Sequence, residues 1–190
     1  MARATKISII NLALTGIGAD RINDIGTSED PELAQKANAV WDFCLQKLLV
    51  AHRWKFATRR ASLALLSETP AFEYTYAFQI PSDYIRVITP NPKNATYTIE
   101  DNKVLFNENT FYMKYTAYVS DPSKFSVGFA IALAAEIAGT IAFAVTNSMT
   151  VAEAAQKQAA EQLRVGKSMD AQEGGTPDEI VEEDPVEVRS

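Results

Sequence analysis

Two of the side-chain types that most often carry chemistry occur once each in this sequence, as His52 and Cys44. A nucleophilic dyad or triad of the usual kind sets an imidazole base beside a hydroxyl or thiol. His52 instead ends an amphipathic stretch beside Arg53 and Trp54, where a capping or packing role is expected. Cys44 falls on the apolar stripe of the same stretch, the place of a small buried hydrophobe. A lone cysteine makes neither an internal disulfide nor a thiol cluster for zinc, so a reducing cytosol is the simplest compartment. No HExxH, CxxC, Walker or Rossmann pattern occurs, and Gly16-Ile17-Gly18 is too short to cradle a phosphate. No pair of carboxylates is singled out. The expectation is a protein with no catalytic residues, no cofactor and no metal.

The run His52-Arg53-Trp54-Lys55-Phe56-Ala57-Thr58-Arg59-Arg60 mixes cations with aromatics, as a nucleic-acid contact would. The alternation of Trp54 and Phe56 reads more simply as the inner face of a strand, with Lys55 on the solvated face. A duplex binder also carries a basic footprint. The net charge here is −6, and its location matters. Residues 170–190 hold eight of the 24 acidic residues and only one of the 18 basic ones, Arg189, which leaves a body of 17 basic and 16 acidic residues. That segment also contains Gly174, Gly175, Pro177 and Pro185. It is too poor in apolar groups to offset its own ordering entropy. An acidic flexible arm that orders only on a partner is expected, with Ile180, Val181, Val186 and Val188 as its candidate contacts.

The elements that would position these residues follow from periodicity. Ile7, Ile10, Leu14 and Ile17 predict a helix over 4–15, stopped by Gly16 and Gly18. Residues 19–29 read as loop, and Asp30-Pro31 as the start of a second helix over about 31–52. Its stripe of Ala34, Ala37, Trp41, Cys44, Leu45 and Leu48 is expected to pack on the first. From 54 to 119 the period becomes 2. Tyr74, Tyr76, Phe78 and Ile80 alternate up to Pro81, and Tyr84–Ile88 resumes after Pro81-Ser82-Asp83. Tyr97 and Ile99 precede the turn-like Glu100-Asp101-Asn102-Lys103, and Val104 and Phe106 follow it. Phe111–Val119 closes an antiparallel sheet region. Asp121-Pro122 predicts a helix over 122–146, and Thr150-Val151-Ala152-Glu153 a capping box opening another over about 151–169.

Ser126–Val145 approaches the length of a membrane span, but Glu136 lies at its centre and small residues dominate. A protein-covered helix is expected, with no membrane insertion. Glu136 would be paired or face a polar interface, and Ala134 and Ala138 would make close contacts. Leucine at either alanine would then cost ~1–3 kcal/mol. The fold class is α+β: an antiparallel helical bundle (1–53 plus 120–169), an inserted antiparallel β-rich subdomain (54–119) and an extended C-terminal arm (170–190). The opening MARATKIS lacks the apolar core and cleavage site of a secretory signal.

Three stretches, in order, carry a resemblance. Ile9-Ile10-Asn11-Leu12-Ala13-Leu14 with Gly16-Ile17-Gly18 looks like an "N-x-A-L…-I-G" opening. Ala34–Asp42, Leu48-Leu49 and His52–Ala57 resemble a second helix running into a first strand. Phe78-Gln79-Ile80-Pro81-Ser82-Asp83-Tyr84-Ile85-Arg86 is similar to an "F-x-L-P-x-D-Y-x-R" signature. Together they resemble the tail adaptor proteins (tail tubular protein A, or gatekeeper-type) of short-tailed bacteriophages, over roughly residues 5–165. The resemblance implies a structural virion protein of the tail or neck, assembled in the host cytoplasm. It implies a homo-oligomeric ring, a dodecamer, between the portal protein and the tail nozzle (tail tubular protein B-type) protein. Genomic DNA would pass through the bore during ejection without sequence-specific binding. The residues alone leave open another neck or head-completion connector, or a monomeric helical binding protein with an acidic regulatory tail.

Overall fold

The computed structural model describes residues 3–24 and 31–173. The first helix, α1, is Lys6–Gly16, two residues later than the periodicity placed it, because Thr5 caps it. The Thr5 hydroxyl accepts from the Ser8 amide (3.1 Å), and the Ser8 hydroxyl accepts from the Thr5 amide (2.9 Å). A serine thus fills the place usually held by glutamate in a capping box. Gly18 takes a positive φ of 72° and lets the Ala19 amide return to the Leu14 carbonyl at 3.0 Å. Helix α2 is Pro31–Ala51, with proline in its first turn as expected; Asp30 lies outside the described residues.

Among the described residues seven strands occur, between α2 and the next helix. They are β1 (Thr58–Ser62), β2 (Ala64–Leu65), β3 (Tyr76–Gln79), β4 (Tyr84–Asn91), β5 (Thr98–Glu100), β6 (Lys103–Phe106) and β7 (Tyr112–Ala117). They form two antiparallel sheets, β1-β7-β4 and β2-β3-β6-β5. The β5–β6 turn is the expected tetrapeptide: Glu100 pairs with Lys103, and Asp101 and Asn102 both take positive φ. That is the hairpin geometry Asp and Asn tolerate best after glycine. One core joins the sheets, with Phe78, Val104, Phe106, Phe111, Met113, Tyr115 and Ala117 buried together.

The long apolar helix, α3, is Val127–Thr146, and α4 is Met149–Gln172. The expected start at Asp121-Pro122 instead makes a separate 3-10 turn, Pro122–Lys124, and Ser126 caps α3. The expected box at Thr150 is likewise displaced. Asn147 ends α3 in the left-handed region (φ 51°), which brings the Ser148 hydroxyl to the Val151 amide at 3.4 Å and starts α4 there. Two residues therefore link α3 and α4 as an antiparallel pair.

Helix α3 is the common partner of the other three helices. The stripe of α2 faces α3 chiefly rather than α1. Lys6 joins α1 to α2 by bonding Asn38 Oδ1 (2.6 Å) and lying over the Trp41 ring. The helical core also takes in Trp54, Ala57 and Val119, so the edge between the two cores falls inside the region expected to belong to the sheets. Trp54 and Phe56, expected on the inner face of a strand, instead flank and sit in a 3-10 turn, Lys55–Ala57. The Trp54 indole donates to the Leu48 carbonyl (2.7 Å), one of the last carbonyls of α2, and stacks edge-on against Phe129. Packing against α3 outweighs the alternation.

Candidate functional site

Three places combine polar or exposed groups with a definite position in the fold. The first is the seam between α2 and α3. Lys47 Nζ meets Glu136 Oε1 at 2.5 Å, the Cys44 thiol lies 3.6 Å from the Thr140 hydroxyl, and Lys36 Nζ donates to the Ala144 carbonyl at 3.1 Å. Glu136, whose side chain is 12% exposed, is thus paired, and with Gly139, Gln156, Ala159 and Leu163 it lines a groove of about 540 Å³. The same helices leave large apolar groups in solvent: Phe43 at 79%, Val50 at 47% and Phe143 at 50% exposure. Ala134 and Ala138 are buried, yet they border a second groove of about 200 Å³ against α1 and α4. Among the glycines, the closest approach is at Gly166, where an added Cβ would stand 2.8 Å from the Gly128 carbonyl oxygen.

Burial pushes the Cys44 thiol up, with the Thr140 contact acting the other way and Glu136 adding to the rise. A thiolate is the reacting species. Thiol reagents at mildly alkaline pH will label native Cys44 roughly tenfold or more slowly than the guanidinium-unfolded chain. Stopped-flow labelling reads both rates, and equal rates would refute the buried placement.

The second place is the end of α4. The expected helix over 151–169 runs on to Gln172, and Asp170, counted in the acidic arm, is 2% exposed. Its Oδ2 lies 3.0 Å from His52 Nε2, and its Oδ1 accepts from the Lys55 amide at 3.0 Å. Lys55 Nζ, expected to be merely solvated, donates to the Asp170 and Ala171 carbonyls. A cation on those last carbonyls complements the helix dipole. His52 stacks edge-on against Trp54. The sole histidine therefore pins the end of α2 to the end of α4. Sequence spacing of 118 residues concealed that pair.

The third place is the open face of β1-β7-β4. Arg60 lies directly opposite Lys114 across β1 and β7, and with Thr89, Asn91, Lys93 and Tyr112 they line a cleft of about 510 Å³. Two residues along β7 on that face, Thr116 is fully buried with its hydroxyl unpartnered, and the unpartnered Nε of Arg86 belongs to the residue opposite it. On the other face, Asp83 gathers the sheet: Arg59 pairs with it, and the Tyr115 hydroxyl donates to its Oδ1 at 3.0 Å. Burial and that carboxylate together push the Tyr115 phenol up.

Among the described residues no group of three or more His, Cys, Asp or Glu side chains could hold a metal ion. The candidate contacts Ile180, Val181, Val186 and Val188 lie outside the described residues. Among the described residues these features define an α+β fold of four helices and two antiparallel sheets whose polar clusters join elements. No model of a known protein family matches the chain, and no curated protein matches it either.

Proposed function

We propose that this chain is a subunit of a ring-shaped tail adaptor of a short-tailed bacteriophage, without catalysis. It would form a helical bundle carrying a β-rich subdomain between portal and tail nozzle. The observation that carries assembly is on α2 and α3, which the Lys47–Glu136 pair joins and which leave Phe43, Val50 and Phe143 in solvent. Exposed apolar groups clustered on a rigid scaffold are the usual mark of a protein interface. A ring needs one such patch to meet a different patch on the next copy. The grooves along α3 and α4, bordered in part by Ala134, Ala138, Gly139 and Ala159, would take side chains projecting from the next copy.

The motif residues support the fold that this reading requires. Asn11 Nδ2 donates to the Ile22 carbonyl (2.9 Å) and its Oδ1 accepts from the Ile22 amide (2.8 Å), so it fastens the loop after α1. Phe78 is buried in the sheet core, and Asp83 ties β1, β4 and β7. Helix α3 is long and apolar enough to cross a membrane, and 56% of its most apolar window is buried among the protein's own residues. A core helix is the simpler account. A near-neutral body also suits a bore that passes DNA without gripping it.

The test is to mix the chain with candidate portal rings and image the product, with native mass measured alongside. Decoration of the portal by a ring of copies is expected. The Phe43→Ser, Phe143→Ser double variant should weaken assembly by ~2 kcal/mol or more per anchor residue, about 30-fold each. A folded chain that stays monomeric with every portal tested would favour the monomeric binding protein.

A further inference from the structure

We propose that the open face of the β1-β7-β4 sheet binds a single strand of nucleic acid, with phosphates on Arg60 and Lys93 and a base on the Tyr112 ring. Strand pairing builds the face: Ser62 and Asn91 flank Tyr112, and Arg60 and Thr89 flank Lys114. With Lys93 these residues line the cleft of about 510 Å³, and among the described residues no Asp or Glu lines it. Lys114 is already engaged, so the open charge rests on Arg60 and Lys93. Both are exposed, and neither has an ion-pair partner among the described residues. Arg59, on the opposite face, shows the contrast, because Asp83 pairs with it.

The donors on this face are those that hold a phosphodiester. Arginine, lysine, serine, threonine, asparagine and tyrosine side chains all bond phosphate and sugar oxygens in nucleic-acid complexes. The cleft presents one or more of each, from the three strands and from the turn after β4. Strands β1 and β4 lie on either side of β7, about 10 Å apart at ~4.8 Å per step. Arg60 on β1 and Lys93 after β4 therefore stand on opposite walls, with Tyr112 on the strand between them. The Tyr112 side chain stays in solvent at 44% exposure. An exposed ring between two cations can stack a base while the flanking phosphates are held. Further along β7 on the same face Thr116 is fully buried, so the open strip is short. From Tyr112 to Lys114 it runs ~7 Å, enough for one or two nucleotides of a flexible strand. A rigid duplex grip needs cations over many phosphates, and the near-balanced body does not supply them. This binding is independent of any ring.

The test titrates the ¹⁵N-labelled full chain at low salt with an oligothymidylate of about eight nucleotides. The amides of 60–62, 112–114, Thr89, Asn91 and Lys93 are expected to shift first and together. Two held phosphates give a slope of about −1.4 in log affinity against log salt, and Arg60→Gln should reduce it by about 0.7. Tyr112→Ala should weaken binding at least ~fivefold, the loss of one stacked base. Both side chains are exposed, so both variants should melt within about a degree or two of the parent. Shifts that are absent, or centred on another surface, overturn the proposal, as does a Tyr112→Ala variant that binds like the parent. Polyglutamate of equal length that shifts the same amides as strongly would overturn phosphate recognition and assign the face to an acidic partner. A duplex of the same length that binds more tightly than the single strand would overturn the single-strand assignment.

Discussion

Leucine at Gly166 is expected to lower the thermal midpoint by roughly 6–12 °C. A Cβ at Gly166 would stand 2.8 Å from the Gly128 carbonyl oxygen, 3.2 Å from its carbon and 3.3 Å from the Trp54 ring. Two of those atoms are backbone of α3 and cannot rotate away. Trp54 is fully buried, edge-on to Phe129, so the third neighbour is also held. Even alanine meets the carbonyl, although it gains up to ~1 kcal/mol of helix propensity over glycine. Leucine adds three more carbons to a site with no room, at a cost of ~3 kcal/mol. Gly16 is the control, because a Cβ there meets nothing within 4 Å. Gly16→Ala should melt within a degree or two of the parent by circular dichroism. If Gly166→Leu also melts with the parent, the close crossing of α3 and α4 is wrong.

That crossing was only half legible in the sequence. Alanine and glycine density along 126–145 marked α3 as a helix closely approached by others, and the structure gives it three helical partners. It did not mark where the approach is closest. Ala134 and Ala138 are buried as expected and border a groove, and the glycine contact that admits no Cβ pairs Gly128 with Gly166. Periodicity reports which face is buried, not how near the opposing backbone comes. The same limit explains the shifted starts of α3 and α4. Asp121-Pro122 and Thr150–Glu153 are sound local signals, but Ser126 and Ser148 hold the caps because the turns before them set where each helix can begin.

The residues that carry the resemblance to phage tail adaptors act here as joints. Asn11 fastens a loop, Trp54 closes the end of α2 and Asp83 gathers three strands. Such residues hold a scaffold together, and a binding surface can vary freely on top of it. This is why function was less legible than fold. The exposed Phe43 is one more apolar residue in an amphipathic helix until the structure shows it in solvent. Arg60 and Lys114 are 54 positions apart, and only strand pairing sets them side by side.

The second large effect is expected at Asp170. Alanine there should cost ~2–3 kcal/mol and lower the midpoint by roughly 4–12 °C. The change strands the Lys55 amide, which now donates to Asp170 Oδ1, and removes the partner of His52. A part-buried donor left without an acceptor costs up to ~1–3 kcal/mol, and the buried Asp170 side chain leaves a gap as well. Asparagine should lose about half as much, since its carbonyl can still accept from the Lys55 amide. His52→Gln should lose least, because a glutamine amide can donate to Asp170 and the site is partly exposed. The ordering Ala, then Asn, then the His52 variant separates a pin from a mere surface contact, for which all three would melt alike. Hydrogen exchange gives a local reading as well. The amides of the last α4 turn, 168–172, should exchange at least tenfold faster in Asp170→Ala than in the parent. The α3 amides at 130–142, in the middle of the core, should slow or quicken only as far as the global stability does.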